Sequence, residues 1–296
     1  PYLIPFYLAL YLLEDSGYLS RIAFLMDNLM HKIGLHGKAF IPVMLGFGCN
    51  VPACLGCRIM ETERERFLAT FVVTLVPCAA TSVIILGLVG AYVGFQWALL
   101  LYIIDLVIIF VLGRIAFKIL PGEPTGLIME MHDYRTPHLK TVVKQTWFRL
   151  KEFIIMAFPL IIAGSFIIKL IDVLGFLEPI ANVLSPVTVV WLGLPAITGI
   201  TLIFGVLRKE LTLLTLLMLF KTEFGTTDFA NVPGFGPVQM IVFTLVAMLY
   251  IPCISTIAAL VKEQGYKRAL FITFFEIAFA IVVGGIAYRM LMLTGM

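Results

Sequence analysis

The sequence predicts an all-α polytopic membrane protein built of two inverted repeats, each holding a re-entrant or broken helical hairpin. Three observations carry this: an apolar composition, basic residues gathered into three loops, and short motifs that recur in the second half. Of 296 residues, 61% are apolar and 13% charged, with a mean hydropathy of +1.04. Soluble domains hold about 25% charged residues, and far more polar surface. A helical crossing takes about 20 apolar residues, so the chain has room for roughly six to eight crossings and little else.

In chain order, residues 2–13 read as the inner end of one span, and residues 67–92, 97–119, 153–171 and 238–261 as full spans. Residues 270–290 form the last. Two further apolar segments are interrupted. Residues 39–56 carry Pro42, Gly46, Gly48 and Pro52; residues 187–220 carry Pro195, Gly199, Gly205 and the run Arg208, Lys209, Glu210. The first run is short and no signal peptide precedes it, which predicts a chain cut from a longer polypeptide or one half of a split system.

Lys and Arg fall in three groups: six within residues 14–66, seven within 114–151 and three within 262–268. The positive-inside rule places these loops in the cytoplasm and residues 92–96, 172–186 and 221–237 outside. Both flanks of the first interrupted segment are then inside, and both flanks of the second outside. Each is predicted to dip in and return, which lipid permits only where protein or a wet cavity satisfies the backbone. The net charge of +3 is too scattered to suggest nucleic acid.

Motif spacing supports a repeat. Gly17 to Gly48 is 31 positions and Gly175 to Gly205 is 30; Val76-Pro77-Cys78 recurs as Ile251-Pro252-Cys253. The predicted division is a first membrane repeat over 1–119, a cytoplasmic amphipathic connector over 120–148 and a second membrane repeat over 149–296. Inverted repeats of this kind put substrate near the midplane, between discontinuous helices.

The polar residues at the breaks are the candidates for chemistry. In Gly46-Phe47-Gly48-Cys49-Asn50-Val51-Pro52-Ala53, glycine and proline unwind the backbone and release carbonyls beside Cys49 and Asn50, which makes both candidate ligands of a cation. A half-helix starting near Val51 would favour the thiolate. Cys54 and Cys57 share a helical face as accessory ligands or as packing residues, with no second pair to complete a tetrahedral zinc site. Pro77 and Pro252 should release the carbonyls of Val73 and Met248 beside Cys78 and Cys253. Glu210 is the candidate acidic ligand, or else the partner of a neighbouring base or Lys169; Asp105 and Glu276 are weaker intramembrane acids. His31, His36, His132 and His138 read as solvated loop residues. A G-x4-G-K-[ST] phosphate loop is absent from the sequence, as is any setting for a hydrolase.

These motifs resemble the membrane part of the FeoB family of ferrous iron transporters. The likeness runs through Leu13 to Tyr18, Arg21 to Asp27, Gly34 to Lys38, Gly46 to Ala53, Leu207 to Leu211 and Ile251 to Cys253. It implies a multi-pass protein of the cell membrane whose two broken regions are Gate motifs, with Cys49, Cys78 and Cys253 as iron ligands. Fe(II) would be transported substrate, with no cofactor held permanently. The implied partners are the bilayer, a GTP-binding domain in cis or on a separate chain, a small cytosolic accessory protein and further copies of the chain. Two departures stand out: Cys54, Gly56 and Cys57 precede Arg58, and Ala79 to Ser82 replace an arginine-leucine-proline run.

The expected function is therefore passage of Fe(II) by a permease that is not itself an enzyme. Iron accepts thiolate, carbonyl and carboxylate, and a pathway needs sites weak enough to release it. A hairpin transporter for nucleosides or other organic solutes, and a signalling or assembly subunit of the membrane, are the alternatives.

Overall fold

Among the described residues, which are 3–120, 136–173, 185–207, 209–224, 229, 232–250 and 253–293, every regular element in the computed structural model is a helix. Four helical stretches are long and apolar enough to cross a membrane: Glu63–Gly90, Phe95–Ile119, Pro237–Gln264 and Tyr266–Leu293. They coincide with four of the expected spans. The 153–171 run lies within a 35-residue helix, Leu139–Val173. Residues 139–148, expected as connector, are thus the first turns of that helix. Most of the rest of the predicted connector lies outside the described residues.

The chain forms two compact units from interleaved segments. One comprises residues 1–78, 106–159 and 259–266, the other 79–105, 160–258 and 267–296. In the first unit, α1 (Leu3–Asp15) leads into α2 (Tyr18–Ile33), which buries Leu19, Ala23, Met30 and Ile33 along one face. Helix α2 stops at Gly34, whose φ of +82° suits glycine; Gly34 N–H donates to His31 O and Leu35 N–H to Met30 O, a Schellman closure. A Cβ on Gly34 would lie 1.9 Å from the Phe117 ring, so the helix end packs directly against that side chain. There follow α3 (Phe40–Gly48), α4 (Asn50–Gly56) and α5 (Glu63–Leu75), the last capped by Thr62 Oγ1 accepting Glu65 N–H at 3.2 Å.

The three basic loops meet in this unit. Arg58 makes a two-point pair with Glu263, Nε to Oε2 at 2.7 Å, and Gln264 donates to Arg66 O and Thr70 Oγ1. Arg64 donates to Leu120 O at 3.2 Å and Arg114 to Lys32 O. Loops 14–66, 114–151 and 262–268 are therefore cross-tied, which requires them to lie on one side of the bilayer, as the charge rule expects.

In the second unit, α11 (Pro237–Leu249) is the centre: every residue from Met240 to Leu249 is buried. Phe220, Phe229, Phe235 and Phe243 stack edge-on along one flank, with neighbouring ring centroids 5.1 to 6.2 Å apart. The last helix, α13 (Tyr266–Leu293), comes close enough at Gly284 that a Cβ there would sit 2.4 Å from Val246. Its far face leaves Phe271, Phe274, Val282 and Met290 exposed, as a lipid-facing stripe requires.

Gly34→Ala should destabilise the detergent-solubilised protein by about 1–3 kcal/mol, and so lower its melting temperature, from the positive φ and the clash with Phe117 together. A thermal melt unchanged from the parent would show that this helix end is not closed as described.

Candidate functional site

The first broken segment consists of α3 and α4, with nine and seven residues. At 1.5 Å per residue neither reaches halfway across a hydrocarbon core of about 30 Å. Between them Cys49 is extended, φ −158° and ψ 129°, so the break falls on the predicted cysteine. The second helix begins at Asn50, one residue earlier than expected from sequence, and Cys49 occupies its N-cap position. Cys49 is half-buried; its N–H donates to Leu45 O at 2.9 Å.

The Pro-Cys motif interrupts the neighbouring helix as the sequence requires. Helix α5 ends at Leu75, Val76 is extended, and α6 (Ala79–Ile84) restarts just after half-buried Cys78. The released carbonyls differ from the expected one. Val76 N–H closes onto Val73 O at 3.2 Å, so a tightened last turn satisfies that carbonyl. Thr74 O and Val76 O are the ones turned aside, and both accept from Asn50 Nδ2 at 3.3 Å. Two carbonyl acceptors fix the amide's orientation, since only its nitrogen can donate. Asn50 Oδ1, in a residue 6% exposed, has no hydrogen-bond partner among the described residues.

The second half repeats this device with a different side chain. Helix α9 (Ala196–Leu207) stops, Arg208 lies outside the described residues, and α10 (Lys209–Phe224) begins. Lys209 is buried, and its Nζ donates to Ala247 O and Tyr250 O, each at 3.3 Å, while lying 5.6 Å from the centre of the Tyr250 ring. Tyr250 ends α11 in extended backbone, and its hydroxyl donates to Leu202 O at 2.5 Å. Half-buried Cys253 then precedes α12 (Ile254–Gln264), with Sγ 3.3 Å from Thr256 Oγ1. The carbonyls used are those of Ala247 and Tyr250, where the sequence pointed to Met248. In each half, then, a side-chain nitrogen of the preceding apolar segment, from Asn50 at the start of α4 and from Lys209, reaches two carbonyls where the next span is interrupted. Sequence reasoning missed this role for Lys209, which it read as a neighbour of Glu210, and for Asn50, which it read as a ligand.

The other candidates separate clearly. The Glu210 and Lys169 side chains lie outside the described residues, so their pairing does too. Cys54 is fully buried. Cys57, just past the broken segment, is also fully buried; its thiol donates to Ala53 O at 3.4 Å, and burial pushes its pKa up to about 12. Asp105 is completely buried, with neither carboxylate oxygen hydrogen-bonded among the described residues. Glu276 is buried as well. His132 lies outside the described residues and the backbone of His138 donates to Asp15. His36 is not the solvated residue the sequence suggested. It is 4% exposed and its Nε2 lies 2.9 Å from Glu65 Oε1.

Asn50→Leu and Lys209→Met each strand two buried carbonyls, at about 1–3 kcal/mol per orphaned group. Both should unfold earlier than the parent in detergent melts. Asn50→Asp should fare no better than Asn50→Leu, because a carboxylate cannot donate; parental stability in all three would remove the role given to these side chains.

Comparison with known proteins agrees with this architecture. A family model described as Gate, nucleoside recognition, matches residues 1–92 and 154–267; one described as the C terminus of ferrous iron transport protein B matches residues 98–149. The Fe(2+) transporter FeoB of Methanocaldococcus jannaschii is 32% identical over 96% of this chain and 46% of its own length. That of Staphylococcus aureus is 32% identical over 98% and 46%, and that of Escherichia coli 40% identical over 54% and 21%. The chain thus spans about half the length of the first two relatives or less. No solved structure gives a significant match. The chain belongs to the FeoB family, of which it carries the Gate and C-terminal regions of the membrane part.

Proposed function

We propose that this chain is the permease part of a ferrous iron transporter of the cytoplasmic membrane, passing Fe(II) between the Gate cysteines Cys49, Cys78 and Cys253 and carbonyl oxygens at the helix breaks. One observation carries the reading: each half sets a half-buried cysteine in an interrupted span and ties that interruption to the preceding apolar segment through one side-chain nitrogen. The reading includes two inverted repeats, over 1–119 and 149–296, with the two broken segments entering from opposite faces. Asn50 Oδ1 supplies a neutral oxygen to the cation, and Glu210 an acidic one. Cys54 and Cys57 come last in the ligand set, because a metal would first have to draw a thiolate out of a fully buried position.

Fe(II) is cargo on this reading and the chain holds no resident cofactor. Catalysis is left to a GTP-binding domain, in cis or on a separate chain, which gates or drives movement; a small cytosolic accessory protein and further copies of the chain complete the assembly. Thiolate is a soft ligand and amide or carbonyl oxygen a hard one, a mixture that borderline ferrous iron accepts, and a few of them hold it loosely enough for release. The nucleoside reading, which the description of the Gate model keeps in view, calls for polar side chains and aromatics converging on one pocket. The side chains described at the breaks are three thiols, one amide, one lysine and a single aromatic, Tyr250, whose hydroxyl is committed to Leu202 O, and the relatives carry the name of Fe(2+) transporters.

The test is Fe(II) uptake into liposomes holding the full chain, with and without a GTP-binding partner, against Zn(II), Mn(II) and a nucleoside. Fe(II) should enter in preference, and Cys49→Ser, Cys78→Ser and Cys253→Ser should each cut initial uptake by about tenfold or more, the scale of loss seen when metal sites are disturbed. Uptake at the parental rate in all three would sink the ligand assignment. Nucleoside uptake without iron would move the chain to the rival class.

A further inference from the structure

Outside the helix breaks, one cluster places two imidazoles and a carboxylate together. Asp27 and His31 stand four residues apart on α2 and so share a face. His31 Nδ1 lies 3.1 Å from Asp27 O and 3.3 Å from Asp27 Oδ1. The Schellman turn at Gly34 then folds the chain back, bringing the His36 ring to 5.7 Å from the His31 ring. Gly37 fixes the return: its N–H donates to Asp27 Oδ1 at 2.7 Å, and a Cβ there would meet Ala23 O at 2.1 Å. One ligand atom from each of Asp27, His31 and His36 lies within 4.8 Å of the others.

Glu65 completes the arrangement from α5. Its carboxylate, fully buried, accepts from His36 Nε2 at 2.9 Å, which sets the ring tautomer and leaves the lone pair on Nδ1. A carboxylate behind an imidazole is the usual support of a metal-ligating histidine, fixing its orientation and raising its basicity. The Gly37 N–H in turn fixes the orientation of Asp27. Exposure falls from His31, 38% at the side chain, through Asp27, 25%, to His36, 5%, so the cluster is a pit open on one side.

We propose that Asp27, His31 and His36 form a divalent-cation site on the basic, cytoplasmic end of the chain, which accepts Fe(II) as it leaves the membrane pathway. The assignment of iron as the ion, and of exit as the site's role, rests on the permease reading; the cation site itself does not. Two histidines and one carboxylate with open positions form a ligand set that suits ferrous iron and its first-row neighbours. Three protein ligands with an open mouth also favour release over storage, as a conduction step requires.

The test uses Co(II) on the full chain in nanodiscs, with Cys49, Cys78 and Cys253 replaced by serine so that no Gate thiol competes. The expected result is one saturable Co(II) per chain, with weak visible ligand-field bands and no intense thiolate-to-cobalt charge transfer. His31→Gln, which spares the buried His36 and Glu65 pair, and Asp27→Asn, which keeps an acceptor for Gly37, should each weaken binding by about tenfold or more while melting as the parent does. Absence of saturable Co(II) binding, or affinity unchanged in both variants, overturns the proposal. Iron uptake by liposomes separates the two readings: uptake without a cobalt site overturns this proposal and spares the permease, whereas an intact cobalt site without uptake supports the site and overturns the permease.

Discussion

The structure depends on how broken backbone is satisfied where lipid offers no hydrogen bonds. Each unpaired amide or carbonyl in hydrocarbon costs several kcal/mol, so a helix can be interrupted at depth only if something else takes up its polar groups. Here that something is one side-chain nitrogen per half. Asn50 bridges Thr74 O and Val76 O, and Lys209 bridges Ala247 O and Tyr250 O. Each nitrogen comes from the apolar segment before an interrupted span and ends on carbonyls at that interruption, Asn50 starting the helix just after the break at Cys49. The two breaks in a half are thereby a single unit, and neither could be straightened without orphaning the other.

This coupling explains why the cysteines sit where they do. A thiol in an unbroken apolar helix is a small packing residue, as Cys54 is here. At a break the same side chain stands beside backbone that has left the helical ladder, and Cys49, Cys78 and Cys253 are all half-buried, neither sealed in nor fully exposed. Cargo on a pathway has to meet its ligands in stages, and partial access is the condition for exchange. Cys57 shows the contrast: sealed, hydrogen-bonded to Ala53 O, and held as a thiol by desolvation.

Much of this was legible in the sequence because it follows from local rules. Apolar run length located the spans, and glycine and proline located the breaks, down to Cys49 as the interrupted residue. Basic residues located the end where Arg58, Arg64, Gln264 and Arg114 tie three loops together. What sequence could not supply is the partner of each polar group, since that depends on contacts between segments 24 to 41 residues apart in the chain. Asn50 looked like a ligand because it stood beside Cys49; its nitrogen faces away to the next span. Lys209 looked like a counter-ion because Glu210 adjoined it. His36 looked solvated because its loop is polar, and only the fold of Gly34 and Gly37 turns it inward onto Glu65.

The two halves are alike in geometry and unlike in charge, and the difference bears on where a cation can rest. Asn50 makes its tie with a neutral amide and keeps an oxygen that has no hydrogen-bond partner among the described residues, whereas Lys209 makes its tie with an ammonium. At an effective dielectric near 20, a divalent ion roughly 6 Å from a single positive charge is opposed by about 5 kcal/mol. That is enough to decide occupancy between otherwise matched sites. On the permease reading the first break, with a thiol and an amide oxygen and no cation in its frame, is the less opposed resting place. At the second, where Lys209 already holds the Tyr250 carbonyl, an ion bound by Cys253 needs an acidic partner, the part given to Glu210. The residue that closes the broken backbone thus also sets the charge a cation would meet there, neutral where Asn50 makes the tie and positive where Lys209 does.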